Sequence, residues 1–161
     1  MNKISVFVTF MLVLIMSACS TSKEARKMKS TIEGEWLLQS VNIEGIQGRV
    51  NAKVFNEANY TCFEGSSWKF IQNISIGSYS TLSSTADCPP ITRQIKWTVF
   101  ETKGEPKQLQ FKRLDNNRKE IDNGGGFRLD IISLNNVSMQ LRTDLTFEGK
   151  SASIVYNFTK I

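Results

Sequence analysis

Histidine is absent from all 161 residues. That absence excludes Ser-His-Asp and Cys-His triads, histidine-bearing zinc sites, histidine-ligated haem and a histidine general base. Proline is scarce, with three, and two of these are adjacent at Pro89-Pro90. With 40% apolar residues, the chain is not a low-complexity or disordered one. After residue 18 no apolar run approaches the ~18 residues that span a bilayer. The basic excess is small, a net +5, and no basic run is interleaved with aromatics, so nucleic acid is not an expected partner. No catalytic residue, metal ligand set or cofactor motif is recognised, and no enzymatic activity is expected.

What is present begins with an address. Met1-Asn2-Lys3 is a short basic segment, and Ile4 to Met16 is apolar. That run is too short for a transmembrane helix and suits a secretion signal over residues 1–18. It ends in Met16-Ser17-Ala18-Cys19, which resembles the lipobox of bacterial lipoproteins. The resemblance implies cleavage before Cys19 and lipidation of its thiol. Small residues at 17 and 18 let an extended chain enter a peptidase groove. Two or more acyl chains, palmitate among them, anchor stably at about 0.8 kcal/mol per buried CH2. The implied location is the bacterial cell envelope, at the outer membrane. Residues 19–31 then read as lipidated cysteine and tether, net basic through Lys23, Arg26, Lys27 and Lys29. The tether reads as a solvated linker with at most one helical turn; the alternative is a spacer that hugs anionic headgroups.

From Gly34 onward the apolar period is two. Strands are predicted over Glu35–Ile43, Ser66–Gln72, Ile74–Leu82, Ile91–Phe100, Lys107–Leu114, Phe127–Leu134, Val137–Phe147 and Ser151–Lys160. Val137, Met139, Leu141, Leu145 and Phe147 share one face, and Ala152, Ile154, Tyr156 and Phe158 share another. Turn residues sit between the runs, at Asn123-Gly124-Gly125-Gly126, Asn135-Asn136 and Glu148-Gly149 among others. Residues 44–65 are irregular and leave three options open: an Ω-type lid, a short helix near 52–58, or a broken strand. The pattern is all-β: an antiparallel meander of about eight strands over residues 32–161, closing into a barrel or packing as a sandwich.

Gly34-Glu35-Trp36 resembles the Gly-x-Trp opening strand of lipocalins. With the lipobox, the meander and the ending Tyr156-Asn157-Phe158-Thr159-Lys160, the layout is similar to lipocalin-like lipoproteins of Bacteroidota-type bacteria. META-type lipoprotein domains open with a similar strand. The lipocalin resemblance implies a closed barrel and a small hydrophobic or amphipathic ligand.

Cys62 and Cys88 are the remaining cysteines, and in an oxidising compartment an even pair predicts a disulfide. Asp130 and Asp144, with Arg128 and Arg142 near them, read as an ion-pair lattice on a solvated sheet face rather than a carboxylate dyad. Trp68, Phe70, Trp97, Phe111, Phe127 and Tyr156 lie on apolar faces. They are core residues that become ligand-binding if packing leaves a cavity. Trp36 is expected to plug the closed end of the barrel beneath Trp97, Phe111 and Tyr156. Two functions follow: a lipid-anchored binding protein, or a filled-barrel interaction protein, such as an inhibitor or envelope-assembly subunit, with an envelope protein partner.

Overall fold

The computed structural model describes residues 22–47, 50–82, 85–147 and 149–161. The signal segment, Cys19 and Glu148 of the last turn lie outside these. A helix α1 (Lys23–Ile32) is followed by β1 (Gly34–Glu44), two short strands β2 (Lys53–Val54) and β3 (Ala58–Asn59), and a 3-10 turn at Tyr60–Phe63. The chain continues as β4 (Ser67–Ile71), β5 (Ile76–Ser80), β6 (Thr92–Phe100), β7 (Gln108–Leu114), β8 (Phe127–Leu134), β9 (Ser138–Phe147) and β10 (Lys150–Lys160). Eight strands form a closed antiparallel barrel in the order β1-β10-β9-β8-β7-β6-β5-β4. β1 closes it, pairing with β10 on one side and β4 on the other. Closure removes the edges that an open sheet of these strands would expose. The barrel seam and its helical cap both lie within residues 22–161.

β1 reaches both neighbours by changing parity partway. Leu38 faces Phe158 and Ser40 faces Asn157, leaving Gln39 as a bulge. Trp36 and Leu38 point inward before it and Val41 after it. A bulge bends a strand and raises its twist, which barrel closure requires.

The segment read as a solvated tether is mostly helix. Ser22 caps it, its Oγ accepting from the Ala25 N–H at 3.0 Å, with Glu24 in the first turn and Lys29 in the last. Ala25 and Ile32 are buried, and Met28 packs against the same core. These positions, 25, 28 and 32, are one helical stripe, too sparse among charged residues to stand out in the sequence. The helix closes one end of the barrel. Lys29 Nζ donates to Ser75 Oγ in the β4–β5 turn at 2.6 Å, and Lys107 before β7 binds Glu24 at 2.9 Å.

Trp36 is fully buried at this end. Lys160 Nζ lies 5.1 Å above its ring and donates to Thr31 O at 2.9 Å. Gly34 has φ +121°, and a Cβ there would come within 2.9 Å of Lys160 Cε, so glycine serves both the turn and the close approach. Two further expectations change. Val137 is 66% exposed, because it belongs to the turn, where Asn135 Oδ1 accepts from the N–H groups of Val137 and Ser138. The triple glycine is not a tight hairpin but the end of a longer β7–β8 connection that also carries Asp122.

Candidate functional site

The end opposite α1 is covered by residues 50–66, the stretch that read as lid, helix or broken strand. It is a lid built on the small β2–β3 hairpin. Phe55 and Asn56 both have positive φ, 52° and 55°, and the Glu57 N–H donates to Val54 O at 3.0 Å across the turn. Two successive left-handed residues suit Asn-Gly far better than Phe-Asn, and each non-glycine residue there costs about 1–3 kcal/mol. Burial of the Phe55 ring offsets this cost.

The ring is buried inside the barrel. Its centroid lies 5.8 Å from Trp68 on β4, 6.4 Å from Tyr79 on β5 and 5.1 Å from Phe111 on β7. It lies 5.5 Å from Phe127 on β8 and stacks 5.6 Å from Tyr156 on β10. Rings from five strands therefore surround one residue of the lid. Four of the six aromatics picked out from the sequence belong to this ring. The other two do not: Phe70 and Trp97 pair with each other at 5.1 Å nearer the closed end, where Lys29 Nζ lies 5.3 Å from the Trp97 ring. Trp97, although the register partner of Phe111, thus packs on Phe70 and Lys29 rather than on the Phe55 ring.

Two arginines point into the same end. Arg93 is the register partner of inward Tyr79, and Arg113 is that of inward Ile95. Glu57, two residues beyond Phe55, sits between them. Its Oε1 is 2.7 Å from Arg93 Nε and 2.8 Å from Arg113 Nη1, and the Tyr79 hydroxyl donates to it at 3.3 Å. Arg113 also grips Asp122, through Nε at 2.8 Å and through Nη2, and Asn56 Nδ2 donates to Asp122 at 3.2 Å. The Glu57 and Arg113 side chains are each 9% exposed, whereas Arg93 retains 28%. Two cations and two carboxylates balance one another.

Burial pulls the Glu57 carboxyl up, but the hydrogen bonds and charges of Arg93 and Arg113 outweigh it and hold it below the usual carboxylate range. The Arg113 hydrogen bond does the same for Asp122. Burial first, and the Glu57 charge second, push the Tyr79 phenol up.

Beside the lid a cleft of about 350 Å3 opens on the barrel mouth. Phe55, Phe127, Leu145, Ile154 and Tyr156 give it apolar walls, with Thr143 and Arg128 at its edge. The lid base is stapled: Cys62 in the 3-10 turn is disulfide-bonded to Cys88 in the β5–β6 connection, with Cα atoms 5.2 Å apart.

Asp130 and Asp144 lie away from this end's interior. Asp130 is the register partner of Arg142 and accepts from Gln108 at 2.8 Å. Asp144 accepts from Ser153 at 2.7 Å and pairs with Arg142 at 3.0 Å. Arg128 lies 4.7 Å from the Phe100 ring. Of the ion pairs expected among these four residues, Arg142–Asp144 forms, while Asp130 is held by Gln108 and Arg128 lies on an aromatic ring.

Sequence reasoning missed Phe55, Glu57, Tyr79, Arg93, Arg113 and Asp122. A signal existed for the arginines. Each falls on the apolar face of an alternating strand, Arg93 with Ile95 and Trp97, Arg113 with Leu109 and Phe111, and a charge on a buried face is the informative exception. Nothing local marks Phe55.

No protein-family model and no curated protein matches this sequence. Among solved structures, lobster apocrustacyanin A1 is similar at 11% identity and a TM-score of 0.47, covering 89% of this chain and 72% of that one. Apocrustacyanin C2 gives 11% and 0.47 over 87% and 70%. Bovine odorant-binding protein, solved with its natural ligand, gives 11% and 0.39 over 90% and 77%. These are lipocalin-family proteins. The closed order of eight antiparallel strands itself makes the fold a barrel.

Proposed function

We propose that the protein is a lipid-anchored binding protein of the bacterial envelope, whose barrel takes a small hydrophobic or amphipathic molecule in the space Phe55 now fills. The observation that carries this reading is the Phe55 plug. It is a strained turn residue inserted among aromatics from five strands, on a hairpin attached at its base by a disulfide. Withdrawing the hairpin tip relieves two left-handed residues and leaves a chamber of the size an eight-stranded barrel offers one small ligand. Trp68, Phe111, Phe127 and Tyr156 would line it.

The anchor in this reading is Cys19. Only residues 20–22 separate it from α1, a reach of about 10 Å. The closed end would then face the bilayer, with exposed Lys23, Arg26 and Lys27 toward anionic headgroups, and the lid would face away.

The second reading is a filled-barrel interaction protein, inhibitor or assembly subunit. What favours it is the ion network holding the lid shut. An environment-sensitive apolar dye separates the two. The ligand reading expects dye binding by the wild type and about tenfold tighter binding by Phe55→Ala, whose plug is gone. Absence of binding in both forms, with Phe55→Ala folded, moves the function to the interaction protein.

A further inference from the structure

Phe55 and Glu57 leave the same turn and meet different chemistry. The ring enters an aromatic chamber, and the carboxylate enters a cationic notch at the chamber's rim. The notch holds Arg93 Nε at 2.7 Å, Arg113 Nη1 at 2.8 Å and the Tyr79 hydroxyl at 3.3 Å, all on the one atom Glu57 Oε1. Arg93 Nη2 reaches the second oxygen at 3.4 Å. All three partners belong to the barrel wall, on β5, β6 and β7, and none to the lid.

The consequences of opening follow from charge. Withdrawal of the hairpin tip takes Phe55 and Glu57 out together. Asp122 stays on Arg113 from the β7–β8 connection. The wall then keeps two guanidinium groups and one carboxylate, a net positive charge beside an empty apolar chamber. A neutral apolar ligand would fill the chamber and leave that charge uncompensated, which is costly for a partly buried group. A ligand with its own carboxylate restores the balance. Arginine binds carboxylates through two parallel N–H groups, with charge-assisted hydrogen bonds. Arg93, the most exposed member at 28%, is the one such a head would meet first.

We infer that the Phe55–Glu57 turn is a built-in stand-in for the ligand, and that the ligand is a small amphipathic carboxylate whose apolar body replaces Phe55 and whose carboxylate replaces Glu57 between Arg93, Arg113 and Tyr79. This rests on the ligand-binding reading above and adds the head group to it. The lid is then a competitor for the site as well as a cover, and the ligand must displace it.

The test compares dodecanoate with 1-dodecanol, equal chains that differ in the head, on the full chain at neutral pH. Binding is followed by tryptophan fluorescence and fold by circular dichroism. Wild type is expected to favour the acid by about tenfold or more. Glu57→Gln removes the competing charge, so the acid should bind about tenfold tighter than to wild type while the alcohol changes less than about threefold. Arg93→Gln should bring the acid-to-alcohol ratio near one. If Glu57→Gln is not folded at the assay temperature, the wild-type ratio and its loss in Arg93→Gln decide. Equal affinity for acid and alcohol in wild type and Glu57→Gln overturns the carboxylate assignment and leaves an apolar-ligand protein. Acid preference that survives Arg93→Gln, or that does not increase in folded Glu57→Gln, also overturns it. Failure of both molecules to bind any of wild type, Glu57→Gln and folded Phe55→Ala overturns the ligand-binding reading itself.

Discussion

Trp36 donates its indole N–H to the Ile32 carbonyl at 2.7 Å, so the last turn of α1 is tied to the first turn of the barrel. Both residues are fully buried. The bond satisfies a carbonyl at the helix C-terminus that has no partner within the helix, and the Lys160 ammonium covers the ring from the end of β10. One side chain thus holds together the helical cap, the opening strand and the closing strand. Trp36→Ala should lose about 3–5 kcal/mol in urea unfolding, a large share of a domain's stability. Trp36→Phe, which keeps a ring but not the N–H, should lose much less. Near wild-type stability of Trp36→Ala would contradict the role assigned to this end.

The two other tryptophans should separate. Trp97 donates to Ile76 O at 3.1 Å and packs on Phe70 near α1, away from Phe55. Trp68 faces Phe55 at 5.8 Å and Tyr79 at 4.6 Å. Trp97→Ala should therefore lower stability by about 3–5 kcal/mol and leave the affinity of the folded protein for an apolar dye within about twofold of wild type. Trp68→Ala should weaken dye binding as well as stability. Equal effects of the two on dye binding would mean that the chamber extends to the closed end.

Acid should loosen the lid. The folded Glu57 and Asp122 carboxyls ionise at lower pH than their ordinary values of 4.5 and 3.8. A depressed folded-state value gives stability that is complete above the ordinary range and is lost as pH falls through the folded-state values. The melting temperature should be flat down to about pH 5 and fall below it. Asp144 on the outer face is held low by Ser153 and Arg142 in the same way, so the informative quantity is a difference. Glu57→Gln with Asp122→Asn should be less stable than wild type at neutral pH, with a shallower acid slope. Parallel slopes in the two proteins would assign the acid effect to other carboxylates.

Lipidation should depend on Cys19. Cys19→Ala should leave uncleaved precursor or a soluble product in place of a membrane-anchored one, read by cell fractionation and by mass spectrometry of the N-terminal peptide. Cys19→Ala still carrying a detergent-extractable lipid would refute the lipobox reading.

Period-two alternation placed all eight barrel strands, most within a residue or two of their observed bounds, because a strand with one buried face writes its burial directly into the chain. Cys62 and Cys88 were legible as an even pair, and Trp36 by the Gly34-Glu35-Trp36 opening. The α1 cap was not. Three apolar positions among five basic and acidic side chains form a stripe only once the barrel end exists to receive them. The plug was not legible either. Phe55 lies in an irregular stretch, in a backbone conformation its side chain disfavours, and only contact with rings as distant in sequence as Tyr156 holds it there. Arg93 and Arg113 showed as charges on apolar faces, but neither shows its partner, since Glu57 and Asp122 come from separate loops. Local pattern determines which face of a strand is buried. Which loop residue fills the barrel, and which carboxylate neutralises its inward charges, is decided by closure, which brings the β1–β4 and β7–β8 connections to one mouth.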